Sequence, residues 1–295
     1  MKTDLPIDLA EVMDLLLNAV CLVDEAGHFM FVNAAFEQVF GYTPDEILGT
    51  PVLDLVLPDD RAKTLGSVSA LMEGVNSLQF ENRWTRKDGQ VVHVLWTARW
   101  SNKHRTRVAV AHDITERKER ENKLAHLAEH DQLTNLPNRA FIQDRLSAAL
   151  NHARQNQTYV SLLFIDIDGF KPVNDTHGHA VGDALLQQMA QRLSGCVRLS
   201  DTVGRLGGDE FLVLLNGVSQ HVDAERVAEN IRVSLNRPFA VHHVSLQLSP
   251  SIGIAHFPEH GGDEKQLTHN ADHAMYCAKN AGGNRVVVFS SGNVD

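Results

Sequence analysis

Gly207-Gly208-Asp209-Glu210-Phe211 decides how the second half of this chain folds. The stretch stands between two apolar runs, Asp201-Thr-Val-Gly-Arg-Leu206 and Phe211-Leu-Val-Leu-Leu215. That succession predicts a β-hairpin whose turn carries two glycines and then two carboxylates. Glycine lets a backbone approach phosphate groups closely, and adjacent carboxylates at a strand edge suit Mg²⁺. A second acid pair lies upstream, where Val160-Ser-Leu-Leu-Phe-Ile165 reads as a buried strand ending in Asp166-Ile167-Asp168. Residues two apart in a strand share a face. Two strands are therefore expected to deliver carboxylates to one edge of a sheet, an arrangement that suits divalent ions.

A length of 295 residues fits two domains, and 43% apolar residues suffice for two buried cores. The net charge of −10 argues against non-specific binding to nucleic acid. Cys21, Cys196 and Cys277 are too few and too scattered for a disulfide framework or a thiolate zinc site, which fits a reducing cytoplasm. The N-terminus has no basic leader region. The most apolar stretch, Val12 to Val23, is interrupted by Asp14 and is too short to span a bilayer. The expectation is a cytoplasmic protein with no membrane partner.

Residues 8–112 read as one small α/β unit. Ala19-Val-Cys-Leu-Val23 and Phe29-Met-Phe-Val32 are expected strands around the turn Asp24-Glu-Ala-Gly27. One helix starts at Asn33 and runs to Gly41, and another starts with Thr43 as N-cap and Pro44 at the first helical position. Residues 78–84 and 91–96 alternate as antiparallel strands across Arg86-Lys-Asp-Gly89, and 107–111 closes the sheet. The stretch resembles a PAS sensor domain. The residues that carry the resemblance are Val32-Asn33-Ala34-Ala35-Phe36, Phe40-Gly41-Tyr42, Glu46-Ile47-Leu48-Gly49, Lys87-Asp88-Gly89 and Asp113-Ile114-Thr115-Glu116.

The resemblance leaves the sensor's ligand unknown. A haem needs an axial group, usually His, and none lies between His28 and His93, so haem is not expected. Cys21 does not match the cysteine of adduct-forming flavin domains. Trp84, Trp96 and Trp100 suit either a flavin pocket or an aromatic core. A small molecule or no ligand is expected in preference to a cofactor.

Residues 113–130 are charged and helical, with a thin apolar seam at Ile114, Leu124 and Leu127. This linker reads either as a solvated helix or as a two-helix stalk that transmits a signal. From 131 to 295 the expected order is helix 139–154, strand 159–167, helix 179–195, the hairpin, helix 222–236, strand 244–256, helix 264–281 and strand 285–289. That pattern fits an α+β fold, an antiparallel sheet covered by helices.

This second domain resembles the GGDEF family, the diguanylate cyclases, whose fold is similar to the palm of polymerases and nucleotidyl cyclases. The match rests on Asp131-Gln-Leu-Thr-Asn-Leu-Pro-Asn-Arg139, Phe164-Ile-Asp-Ile-Asp168, Phe170-Lys171, Asn174-Asp175, Gly178-His179, Gly182-Asp183, Arg205-Leu-Gly-Gly-Asp-Glu-Phe211, Ser251-Ile-Gly-Ile-Ala255 and Ala271-Asp-His-Ala-Met-Tyr-Cys-Ala-Lys279. The resemblance implies condensation of two GTP into cyclic di-GMP with release of two pyrophosphates. It implies Mg²⁺ or Mn²⁺ held by Asp166, the Ile167 carbonyl and Glu210. Asp209 is placed near the 3′-hydroxyl as a metal ligand, a proton acceptor or both. Asn174 and Asp183 correspond to guanine contacts, Lys171 and Lys279 to triphosphate contacts, and Gly207 and Gly208 to the close phosphate approach. His179 either touches the nucleotide or only caps the helix that starts there. Arg198 and Asp201 correspond to an inhibitory product site, for which the alternative is a surface ion pair.

Two departures stand out. Gly283 stands where many relatives carry arginine, so a phosphate contact is either lost or supplied by Arg285. Asn135 stands where glycine is common, and Asn tolerates the left-handed conformation such a turn needs. One GTP per domain implies a homodimer. The chain's end at Asp295 is expected to leave no room for a phosphodiesterase domain. The rival reading is a catalytically silent receptor for GTP or cyclic di-GMP, disfavoured because Asp166, Asp209 and Glu210 are all present.

Overall fold

In the computed structural model, which describes residues 8–74, 78–218 and 221–290, the chain divides into two units between Lys123 and Leu124. The stretch read for a leader, residues 1–7, lies outside the described residues. So does the end of the expected 131–295 domain, residues 291–295. Among the described residues no helix is long and apolar enough to cross a membrane.

The first unit contains α1 (Leu9–Asp14), β1 (Ala19–Asp24), β2 (Phe29–Val32), α2 (Ala34–Phe40), α3 (Pro44–Ile47), α4 (Pro58–Met72), β3 (Leu78–Thr85), β4 (Val91–Ser101) and β5 (Thr106–Asp113). Its strands form one antiparallel sheet in the order β2-β1-β5-β4-β3. Asn33 sets the start of α2. It is fully buried, and its Oδ1 accepts from Phe36 N at 3.2 Å and from Val20 N at 2.8 Å. Thr43 and Pro44 open α3 as expected, and the Glu46 carboxylate accepts from Thr43 N at 3.0 Å. Trp84 and Trp96 are core residues, 4.8 Å apart between ring centroids, with Phe40 packed on both. The helix α4 was not foreseen. Its sequence holds Gly66 and few apolar residues, so it lacks a clear helical stripe.

The helix α5 (Thr115–Glu129) starts after Asp113, whose carboxylate accepts from Thr115 N at 2.9 Å. Ile114 precedes the helix and is buried, so it is not part of the expected seam. Leu124 and Leu127 remain exposed on α5.

The second unit contains α6 (Arg139–Asn156), β6 (Tyr159–Asp168), α7 (Phe170–His177), α8 (His179–Gly195), β7 (Thr202–Gly207), β8 (Glu210–Val218), α9 (His221–Leu235), β9 (Phe239–Val241), β10 (Val244–Leu246), β11 (Ser249–Phe257), α10 (Glu264–Asn280) and β12 (Arg285–Val288). The main sheet runs β12-β11-β6-β8-β7 and is antiparallel except for β11 and β12. Both faces of β6 are covered. Leu163, Ile165 and Ile167 pack with residues of α8 and α9, and Leu162 and Phe164 with residues of α6 and α10. The single strand expected over 244–256 is two strands. β10 pairs with β9 in its own hairpin, and only β11 joins the main sheet. The unforeseen α7 fills the turn between β6 and α8.

Candidate active site

β6 and β8 pair so that Asp166 stands opposite Glu210. The hairpin between β7 and β8 has a two-residue turn, Gly208-Asp209. Gly207 therefore closes one strand and Glu210 opens the next. Asp166 is buried, and the contact to its Oδ1 is an electrostatic one rather than a well-aligned hydrogen bond. Lys279, near the end of α10, brings its Nζ to 2.5 Å from that oxygen as an ion pair. Burial pushes the Asp166 carboxyl up to about 6, with repulsion from Asp209 and Glu210 adding to the rise and Lys279 opposing it.

Lys279 reaches this position because α10 lies directly on β11. A Cβ at Gly253 would stand 2.1 Å from both Ala271 O and Met275 N. Only glycine allows that approach.

Asp168 does not join the acid edge as the strand alternation predicted. Ser251 Oγ donates to its Oδ1 at 2.7 Å, and Ser249 Oγ and Asn284 N donate to its Oδ2 at 2.8 and 2.9 Å. The carboxylate is spent tying β6 to β11 and to the turn after α10. The same contact accounts for Gly283. Its φ is +69°, and a Cβ there would meet Asp168 Oδ2 at 2.6 Å, so a side chain at this position is strained and displaces the Asp168 carboxylate. Arg285 folds back on the turn, with Nε donating to Gly283 O at 3.1 Å.

The hairpin turn is fixed by a network to which the sequence assigned no role. Arg205 donates to Gly208 O from Nε and Nη2 at 2.9 and 2.7 Å, and from Nη1 to Asp131 Oδ1 at 2.8 Å. Asp131 also accepts from Thr134 N and Oγ1. Burial acts to raise the Asp131 carboxyl, but the bonds from Thr134 and Arg205 outweigh it and the net shift is downward. Asn135 adopts φ +59°, the left-handed conformation expected of it.

Lys171 and Asn174 lie on α7, and His179 and Asp183 on the first turns of α8. Both helices follow directly on the acid end of β6. Lys171, His179 and Asp183 are exposed, while Asn174 Oδ1 is buried without a partner. The N-cap of α8 is Gly178, and no side chain caps it, so His179 has no capping role.

Arg198 and Asp201 form no ion pair with each other. Asp201 instead accepts from Arg198 N at 3.0 Å and from Asn216 N at 3.2 Å. The Arg198 side chain is left exposed beside a cleft of about 920 Å³, also lined by Phe141, Arg145 and His152.

Among the described residues no three His, Cys, Asp or Glu side chains are gathered to hold a metal ion by themselves. The acid edge still fits a divalent cation. It has a buried carboxylate oxygen met by the Lys279 ammonium, two further acids that repel Asp166, and the adjoining Ile167 carbonyl. Mg²⁺ commonly takes only one or two carboxylates and completes its shell with water and substrate phosphates.

The chain resembles known proteins in both halves. It is 50% identical over 157 residues to the diguanylate cyclase TpbB of Pseudomonas aeruginosa, covering 53% of this chain and 36% of that protein. It is 32% identical over 278 residues to the cyclic di-GMP phosphodiesterase PdeR of Escherichia coli, covering 92% of this chain and 42% of that protein. It thus spans less than half the length of either relative. The solved coiled coil and GGDEF domain of DgcB from Caulobacter crescentus, in complex with c-di-GMP, is similar with a TM-score of 0.55 and 28% identity. That match covers 59% of this chain and 93% of that one. Residues 8–114 match the PAS fold, and residues 128–285 match the family described as diguanylate cyclase, GGDEF domain. With more than half its length inside the second match, the chain belongs to the GGDEF-domain family of diguanylate cyclases.

Proposed function

We propose that this chain condenses two GTP into cyclic di-GMP and releases two pyrophosphates. The observation that carries the reading is the pairing of Asp166 with Glu210 across the sheet, with Lys279 set against the buried carboxylate. Mg²⁺ or Mn²⁺ bound there, by Asp166, the Ile167 carbonyl and Glu210, would stabilise charge on the attacking and leaving oxygens. Asp209, in the turn, is positioned to hold the ion, to take the 3′-hydroxyl proton, or both. Lys279 neutralises Asp166 before substrate arrives and, with Lys171, the triphosphate afterwards. The backbone of Gly207 and Gly208 approaches the phosphates.

Asn174 and Asp183 select guanine. A carboxylate accepts from the N1–H and the exocyclic amine together, and adenine offers no such donor pair. The unpartnered Asn174 Oδ1 fits this role. His179 lies on the same helix end and contacts the nucleotide. Each catalytic domain holds one GTP, so the product forms between two copies of the chain, in the cytoplasm. The first unit modulates the rate, and cyclic di-GMP bound at Arg198 and Asp201 inhibits it.

Incubation of the purified chain with GTP and Mg²⁺, with products resolved by chromatography and mass spectrometry, tests the reaction. Cyclic di-GMP and pyrophosphate in a one-to-two ratio is the expected result. GTP returned intact, after any bound cyclic di-GMP has been removed, would refute it.

A further inference from the structure

Asn135 does more than accept a left-handed backbone. Its Oδ1 lies 2.7 Å from His126 Nε2 on α5. An amide oxygen only accepts, so Nε2 carries the proton and donates. Glycine would take the same backbone conformation and offer no such acceptor. The His126 ring is held from its other side. It stacks on His130 with centroids 4.0 Å apart, and His130 packs on Phe141 of α6 at 5.9 Å. Asn138 joins the same elements. Its N donates to Glu129 O at 2.8 Å, its Nδ2 to Ala128 O at 2.7 Å, and its Oδ1 accepts from Phe141 N at 3.0 Å. The end of α5, from Leu124 onward, belongs to the second unit, and these bonds fix it there.

The segment tethered by Asn135 is the one that reaches the catalytic hairpin. Asn135 N donates to Asp131 O at 2.8 Å and Asp131 N to Leu136 O at 2.7 Å, so residues 131–136 close on themselves. Asp131 Oδ1 accepts from Arg205 Nη1, and the same guanidinium holds Gly208 O. The Arg205 side chain is 10% exposed and has little room to swing away. Its backbone is held as well, with Arg205 N donating to Pro137 O at 2.9 Å. A Cβ at Gly204 would stand 2.6 Å from Pro137 O, so β7 runs directly against this segment. Gly208 adopts φ +55°, and Asp209 follows it in the hairpin. Movement of residues 131–136 therefore moves the group that fixes Gly208 O, and the Asp209 carboxylate with it. We propose that Asn135 and His126 are positioning residues for the catalytic hairpin. Their hydrogen bond steadies the Asp131 segment, and through Asp131 and Arg205 it sets where Asp209 stands. The coupling runs through contiguous hydrogen bonds, with no contact between Asn135 and substrate. The inference rests on the proposed cyclase reading, which gives Asp209 its role.

The test uses the full chain. Asn135→Gly keeps the left-handed backbone and deletes only the side-chain amide. Asn135→Asp tolerates the same φ and keeps an acceptor. His126→Phe keeps a ring on His130 and deletes the donor. Asn135→Gly and His126→Phe should each lower kcat by at least about threefold, with KM for GTP rising by less, because Asn174 and Asp183 lie on other elements. The double variant should be no slower than the slower single one, since both delete the same bond. Asn135→Asp should stay within about twofold of the wild-type rate. Hydrogen exchange of the substrate-free chain, read by mass spectrometry, follows the hairpin without activity. Peptides spanning 205–212 should exchange at least about threefold faster in Asn135→Gly and His126→Phe. Wild-type exchange in both variants, multiplicative losses in the double variant, or equal losses in Asn135→Asp and Asn135→Gly would each overturn the proposal. A wild-type chain that makes no cyclic di-GMP would instead refute the proposed reaction, and the exchange measurement would still decide whether the tether holds the hairpin.

Discussion

Asp166 concentrates the chemistry at the scale of single residues. Its carboxyl titrates near 6 against an ordinary 3.8, so between those values the folded chain holds a proton that the unfolded chain has lost. Stability from this group is therefore present at low pH and lost as pH rises through about 6. A divalent ion reverses the sign, because it binds the deprotonated form. Mg²⁺ or Mn²⁺ should raise the melting temperature more at about pH 7.5 than at about pH 5, and Asp166→Asn should remove that difference. An equal rise at both pH values would place the ion elsewhere. Arg198 carries a second prediction. Its side chain is free of Asp201, so Arg198→Ala should leave initial turnover near wild type and shift inhibition by cyclic di-GMP to much higher concentration. An unchanged inhibition curve would remove Arg198 from the product site. The acids of the site were legible because strand alternation and the glycine turn announce them. The spending of Asp168 on two serines and a backbone amide was not, since its partners are more than eighty residues away. Arg205 was quoted within a motif, yet its clamp on the turn and Asp131 is visible only in three dimensions.

Elements explain how those residues arrive. The apolar runs of β6 and β8 could be read directly as strands, whereas the sheet order could not, and β11 was read only as part of a longer strand. The elements α4 and α7 escaped because a one-sided apolar stripe is weak in α4 and because α7 is only two turns long. The break between β10 and β11 was hidden by an unbroken alternation of apolar residues, although the two strands belong to different sheets. Packing of α10 on β11 is the element contact that matters most for the site. Gly253→Ala should push the helix outward, lower stability by roughly 1–3 kcal/mol and displace Lys279 from Asp166. Calorimetry and turnover on the same sample check this. A variant with wild-type melting and wild-type rate would show that the close approach does not position Lys279.

At the scale of the whole molecule, the account needs two copies of the chain for each product. Activity per chain should rise with protein concentration and level off as dimers saturate, followed by rate assays alongside light scattering. A constant specific activity in samples that remain monomeric would rule out a product assembled between two chains. Comparing the full chain with residues 131–295 would separate modulation by the first unit from the chemistry of the second. The sequence disclosed both families but marked no ligand site in the first unit. The small cavity lined by Trp84 and Trp96 is gathered from β1, β3, β4, β5, α4 and the turn at Val52, and no local motif marks it. The most direct measurement is cyclic di-GMP formation by wild type and by Glu210→Ala, both verified as folded by their melting curves. Glu210 is partly exposed at the strand edge, so its truncation should spare the fold while lowering turnover by on the order of a hundredfold or more. A folded Glu210→Ala chain that forms cyclic di-GMP at the wild-type rate would contradict the assignment of this acid edge as the catalytic centre.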